Sequence, residues 1–179
     1  MNLTHRSPFF LGAALLAGIV LASCSPQYSP PADSTSSAVG STMSEQEHIL
    51  KTEGDIVWSD APAVLPAGAK VAALEGDPAK AGPFTIRLEF PANYRVAPHW
   101  HPADEHVTVI AGTFALGMGE TFDETKLEEL GVGGFAMMRT GTRHFAWSKD
   151  GAVVQLHGIG PWGLTYVNPA DDPRNAAKP

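Results

Sequence analysis

The chain has 179 residues, 12 basic against 19 acidic, 44% hydrophobic, with a formal charge of −7; that suits one compact domain plus extra chain and excludes wholesale disorder. The acidic balance excludes a nucleic-acid binder, which needs a basic face to displace counterions from phosphates. A single cysteine excludes an intramolecular disulfide framework and any Cys-x-x-Cys zinc or redox site.

The N-terminus carries His5 and Arg6, then an apolar run from Phe9 to Ala22. Those 14 residues are too few for a bilayer-spanning helix and suit the apolar core of a secretory signal. The run ends in Leu21-Ala22-Ser23-Cys24, which resembles the bacterial lipobox. The resemblance implies a lipoprotein signal peptide over residues 1–23 and a diacylated Cys24 as the first mature residue. The alternative is a plain signal peptide cut nearby, with Cys24 a bystander. The chain's one cysteine stands where the lipobox requires it, which favours lipidation. Ser25-Pro26 lacks the aspartate that retains such lipoproteins in the inner membrane, so the implied location is the periplasmic side of the outer membrane. Cleavage removes Arg6 alone among the charged residues, leaving 11 basic against 19 acidic. So acidic a surface has no electrostatic affinity for anionic lipid, and the acyl chains must hold the membrane.

Residues 24–49 follow, rich in Ser, Pro, Thr and Ala from Ser25 to about Gln46. With few large apolar groups to offset ordering entropy, they read as a tether. Residues 169–179 read as a polar tail, and the folded domain is expected over 50–168.

Within it, Gly 18 and Pro 15 in the whole chain favour short strands joined by turns. The strand-like runs are Ile56–Trp58, Ala69–Leu74, Phe84–Phe90, Arg95–Trp100, Val107–Ala111, Thr113–Met118, Phe135–Arg139, His144–Trp147, Ala152–His157 and Leu164–Val167. Phe84, Ile86, Leu88 and Phe90 alternate with polar neighbours and share one face. Phe122 to Leu130 reads as helical or irregular, or as holding one short strand at Lys126–Glu129. Gly131-Val132-Gly133-Gly134 reads as a turn. Many short strands predict an all-β antiparallel sandwich or barrel.

Three histidines fall within Pro98-His99-Trp100-His101-Pro102-Ala103-Asp104-Glu105-His106. On a strand His99 and His101 leave the same face, and Glu105 keeps that parity if the turn at Pro102 returns in register. Two imidazoles and a carboxylate make part of a shell for a first-row divalent metal. A further donor has to come from another strand, and His144 is the natural candidate. Singly, each of these residues reads as a hydrogen-bonded strand histidine or a surface carboxylate; together they point to a metal. His106 has the opposite parity to Glu105 and points away. Gln155 and His157 share a face: if it is the barrel interior they are substrate-side groups, otherwise they sit at a partly exposed strand end. Trp100 faces away from its flanking histidines and reads as core or interface; Trp147, Trp162 and Tyr166 read as core, with a ligand cage as the alternative. Met137 or Met138 is a candidate for the pocket wall.

The pattern His99-x-His101, three residues, Glu105, six residues, Gly112 resembles the first motif of the cupin superfamily. The family's opening glycine is here Asn93, which tolerates the same left-handed turn. Gly133, five residues, Arg139-Thr140-Gly141, two residues, His144, three residues, Ser148 resembles the second motif, with Arg139 for proline and Ser148 for asparagine. The resemblance spans Ile56 to Tyr166. It implies a single-domain cupin double-stranded β-helix, a jelly-roll barrel. It also implies His99, His101, Glu105 and His144 as ligands of a divalent ion: Fe, Mn, Ni, Cu or Zn. The implied function is that of a metal-dependent enzyme acting on a small organic molecule, of dioxygenase, decarboxylase or isomerase type. His157, Gln155 or Arg139 would then orient substrate or move protons. The alternative is a non-catalytic cupin that binds or senses a metal or small ligand in the cell envelope. A titratable group beside the metal would separate the two, and His157 is the candidate. Cupin barrels often pair through edge strands, which makes a homodimer an expected partner.

Overall fold

The structure, a computed structural model, describes residues 48–175. The expectations for the signal peptide, Cys24, the tether up to residue 47 and residues 176–179 lie outside them. The chain divides after Glu45, and all described residues belong to the second unit. No described helix is long and apolar enough to cross a membrane.

Among the described residues nine strands form an antiparallel sheet: β1 (Ser59–Asp60), β2 (Lys70–Glu75), β3 (Gly82–Trp100), β4 (Glu105–Gly112), β5 (Phe114–Met118), β6 (Glu128–Leu130), β7 (Phe135–Met138), β8 (His144–Gly160) and β9 (Thr165–Tyr166). The long strands β3 and β8 pair from Gly82↔Gly160 to His99↔His144 and form the central ribbon. One half of the ribbon is flanked by β2 and by β4 with β7, the other by β9 and by β5 with β6. This is an all-β jelly roll.

Alternation places the core. Phe84, Ile86, Leu88 and Phe90 of β3 and Val154 and Leu156 of β8 are all buried and belong to one cluster. Each such side chain contributes roughly 1.5–3 kcal/mol when fully removed from water. The inward phase of β3 changes once. A register shift between Val96 and His99, next to Pro98, is a bulge, which is where a strand admits proline. The extra residue moves the inward phase from Val96 onto His99.

Ten runs were expected, and the differences are local. Phe84–Phe90 and Arg95–Trp100 are one strand, as are His144–Trp147 and Ala152–His157. The stretches between them, around Pro91 to Asn93 and Lys149 to Gly151, continue the ladder in unbroken register and are not loops. Asn93 takes a left-handed φ of 58°. Ile56–Trp58 is not a strand; it follows a 3-10 turn at Glu53–Asp55. Phe122–Leu130 holds a 3-10 turn at Glu124–Lys126 and then β6. A tight turn with Gly134 N–H donating to Gly131 O joins β6 to β7. Residues 169–175, read as tail, form two 3-10 turns, the first capped by Asn168 accepting from the Ala170 N–H.

Two tyrosines fix the segment between β1 and β2 against the barrel. The Tyr94 hydroxyl donates to Pro66 O and the Tyr166 hydroxyl to Val64 O at 2.8 Å. Val64 and Leu65 are thereby held over the barrel interior.

Candidate metal centre

Three loop-to-strand junctions deliver the site. His99 lies near the end of β3 and His101 just beyond it, Glu105 opens β4, and His144 opens β8. All four are buried, with relative exposures of 4% (His99), 3% (His101), 6% (Glu105) and 1% (His144). One ligand nitrogen from each of the three histidines lies within 4.8 Å of the others. A Glu105 carboxylate oxygen lies 3.4 Å from His101 Nε2 and 3.3 Å from His144 Nε2.

The backbone orients each ring. His99 Nδ1 is 2.8 Å from Ala97 O, His101 Nδ1 2.7 Å from Gly163 O, and His144 Nδ1 3.0 Å from Thr142 O. A carbonyl only accepts, so in each neutral ring Nδ1 carries the proton and Nε2 keeps its lone pair. The loop turn is fixed as well. Asp104 accepts from the Thr140 N–H at 2.8 Å, the Thr140 hydroxyl at 3.1 Å and Arg139 at 3.1 Å. These bonds tie the loop before Glu105 to the loop before His144.

Electrostatics keep the cluster ready for a cation. Burial, followed by repulsion from His144 and His101, pushes the His99 imidazole down to about 3. Burial raises the Glu105 carboxyl, but the His101 and His144 imidazoles outweigh it and hold it well below the usual carboxylate range. The result is a buried carboxylate set among three buried imidazoles. His101 Nε2 is buried and has no hydrogen-bond partner, a costly state for a polar atom unless something fills the gap. An N₃O donor set with an unpartnered inward lone pair fits a divalent first-row metal.

The remaining candidates fall elsewhere. Gln155 and His157 do share a face, but it is the outer one: Val154 and Leu156 are the buried residues between and beside them. His157 pairs with His106 across β8 and β4, their rings stacked at 4.8 Å and 12°. Strand parity therefore removes Gln155 and His157 from the interior, and the expectation that they face substrate is corrected. Arg139 does not line the cavity; its side chain is 75% exposed and bound to Asp104. Met138 is core and Met137 is exposed, and neither lines the cavity.

One neighbour escaped the sequence. Trp162 stacks on His101, with centroids 4.3 Å apart and planes at 17°, and lines the barrel cavity. It and Gly163 come from the loop after β8, whose return to the site no spacing pattern encodes.

No protein-family model and no curated protein matches the chain. Solved structures do. A protein from Methylibium petroleiphilum PM1, provisionally assigned as an acetylacetone dioxygenase, superposes with a TM-score of 0.56 at 19% identity, covering 73% of this chain and 88% of that one. The polyketide cyclase RemF from Streptomyces resistomycificus gives 0.57 at 17% identity, covering 73% and 90%. An RmlC-like cupin from Shewanella frigidimarina NCIMB 400 gives 0.50 at 12% identity, covering 63% and 91%. The fold is the cupin jelly roll.

Proposed function

We propose that this chain is a lipid-anchored periplasmic cupin whose barrel binds a divalent metal through His99, His101, Glu105 and His144, and that it is a metal-dependent enzyme acting on a small organic molecule. The observation that carries the metal reading is the convergence of three buried imidazoles on a buried carboxylate, each Nδ1 tied to a carbonyl. A divalent ion there supplies Lewis acidity and, for Fe, Mn, Ni or Cu, redox access. The wall around that centre is mostly apolar. A fold shared with proteins named for dioxygenation and polyketide cyclisation supports a reaction of dioxygenase, decarboxylase or isomerase type. Anchoring at Cys24 rests on Leu21-Ala22-Ser23-Cys24 and the Ser/Pro-rich stretch after it.

A second reading, a binding or sensing cupin without turnover, is favoured by one observation. Among the described residues, the titratable side chains lining the cavity are the four of the centre and Asp77, and Asp77 already accepts from the Ala79 N–H and pairs with Lys80. Protein purified without a nickel column and analysed for metals decides whether the centre exists. Loading it with Fe(II), Mn(II) or Zn(II) and following dioxygen uptake and product formation across small carbonyl, phenol and carboxylate compounds then separates the readings. Tight binding without product in every case would leave the binding reading.

A further inference from the structure

The barrel interior holds a cavity of about 660 Å³, within the ~300–1,000 Å³ typical of small-molecule sites. The metal centre forms one part of its wall. The rest is hydrocarbon, including Leu88, Phe90, Phe114, Leu116 and Val154. Among the described residues no Lys, Arg, Asn, Gln, Thr or Tyr lines it; away from the centre, Ser59, Asp77 and the Trp162 indole are the only polar side chains that do. Such a wall decides what can enter. Each sugar-type hydroxyl moved into it away from those few groups loses water with no side-chain partner, costly for every group so stranded. A polyanion meets no cation apart from the metal. Three neutral imidazoles and one carboxylate leave a divalent ion with one net positive charge, which one monoanionic oxygen neutralises.

Resting on the metal reading above, we infer that the ligand is a predominantly hydrocarbon molecule with a single oxygen head group that meets the metal as a monoanion, a phenol, enol or monocarboxylate, and is not a sugar, nucleotide or polyacid. Head group and hydrocarbon body are recognised by different parts of the wall. Affinity therefore rises with alkyl length independently of the metal.

The test titrates the full chain, loaded anaerobically with Zn(II) or Mn(II), with phenol and its 4-alkyl homologues up to 4-hexylphenol, with gluconate as polar control. Tryptophan fluorescence and calorimetry give the binding constants. The expected Kd falls roughly fourfold per added methylene until the cavity is filled. Stripping the metal is expected to weaken every homologue while leaving that slope in place. Two filling variants, Val154→Phe and Leu116→Phe, are each expected to shorten the longest homologue tolerated with metal content unchanged; using both keeps the test sound if one fails to fold. A Kd independent of alkyl length, or gluconate binding as tightly as 4-hexylphenol, overturns the inference. A chain that takes up no metal yet keeps the slope overturns the metal reading and the head-group assignment, and supports the hydrocarbon ligand.

Discussion

Acid should destabilise the metal-free domain well above the range in which carboxylates protonate, and His99 is a reason. In the fold its imidazole is pushed down to about 3 from an ordinary 6.5, chiefly by burial; once unfolded it regains its ordinary value. Below pH 6.5 the unfolded chain takes a proton at this position that the folded chain refuses. Stability is therefore fully present above 6.5 and is lost as pH falls towards 3. One such proton changes stability by at most about 1.4 kcal/mol per pH unit, and the unfolded imidazole is half protonated at 6.5, so acidification from 6.5 to 4.5 costs about 2 kcal/mol through His99 alone. That window stops short of the Glu105 contribution. Its depressed carboxyl gives stability that is present above about 4.5 and lost only as pH falls further. The assay is urea unfolding of EDTA-stripped full-length protein at half-unit pH steps, for wild type and His99→Gln. The expected result is a wild-type stability that falls through the window, with a slope one proton smaller in the variant whatever its absolute stability. Equal slopes in the two proteins would refute the reasoning.

Among single alanine variants, His99, His101 and His144 should each lose most bound metal by elemental analysis. Glu105→Ala should lose less, since three imidazoles can still hold an ion with water in the vacancy; full occupancy in His101→Ala or His144→Ala would sink the assignment. Gly117→Ala places a methyl 2.3 Å from the ring of Phe145, which is 0% exposed, and should cost about 1–3 kcal/mol in urea unfolding, as overpacked cores do. His157→Ala should leave metal content and ligand affinity unchanged by calorimetry, because its ring stacks on His106 on the outer face; lost metal would place it at the centre after all. Cys24→Ala should release the protein from the membrane fraction, and sedimentation with salt-washed membranes would count against the lipid anchor.

The residues that converge were legible because period and spacing carry them: His99 and His101 share strand parity, and His144 follows a glycine turn as Glu105 follows a proline turn. What stayed hidden depends on contacts between distant segments. The bulge that turns His99 inward changes one phase of one strand, and nothing in Val96-Ala97-Pro98 announces its direction. Trp162 reads as an ordinary apolar residue until β8 ends and its loop returns over His101. His157 failed as a site residue for the opposite reason: parity gave its relation to Gln155, but which side faced inward was decided by Val154 and Leu156 packing into the core.

The β3–β8 ribbon also governs how the chain assembles over time. Its partners lie far apart in sequence, so a long loop must close before the first rung is rewarded, the kind of topology that folds slowly. His99↔His144 is the rung at one end of that ribbon, and an ion held there grips both strands where they would begin to separate. Unzipping then requires the ion to leave. An ion held by these four residues would thereby act as a kinetic clasp, lengthening the life of the closed barrel even where it adds little to the speed of forming it.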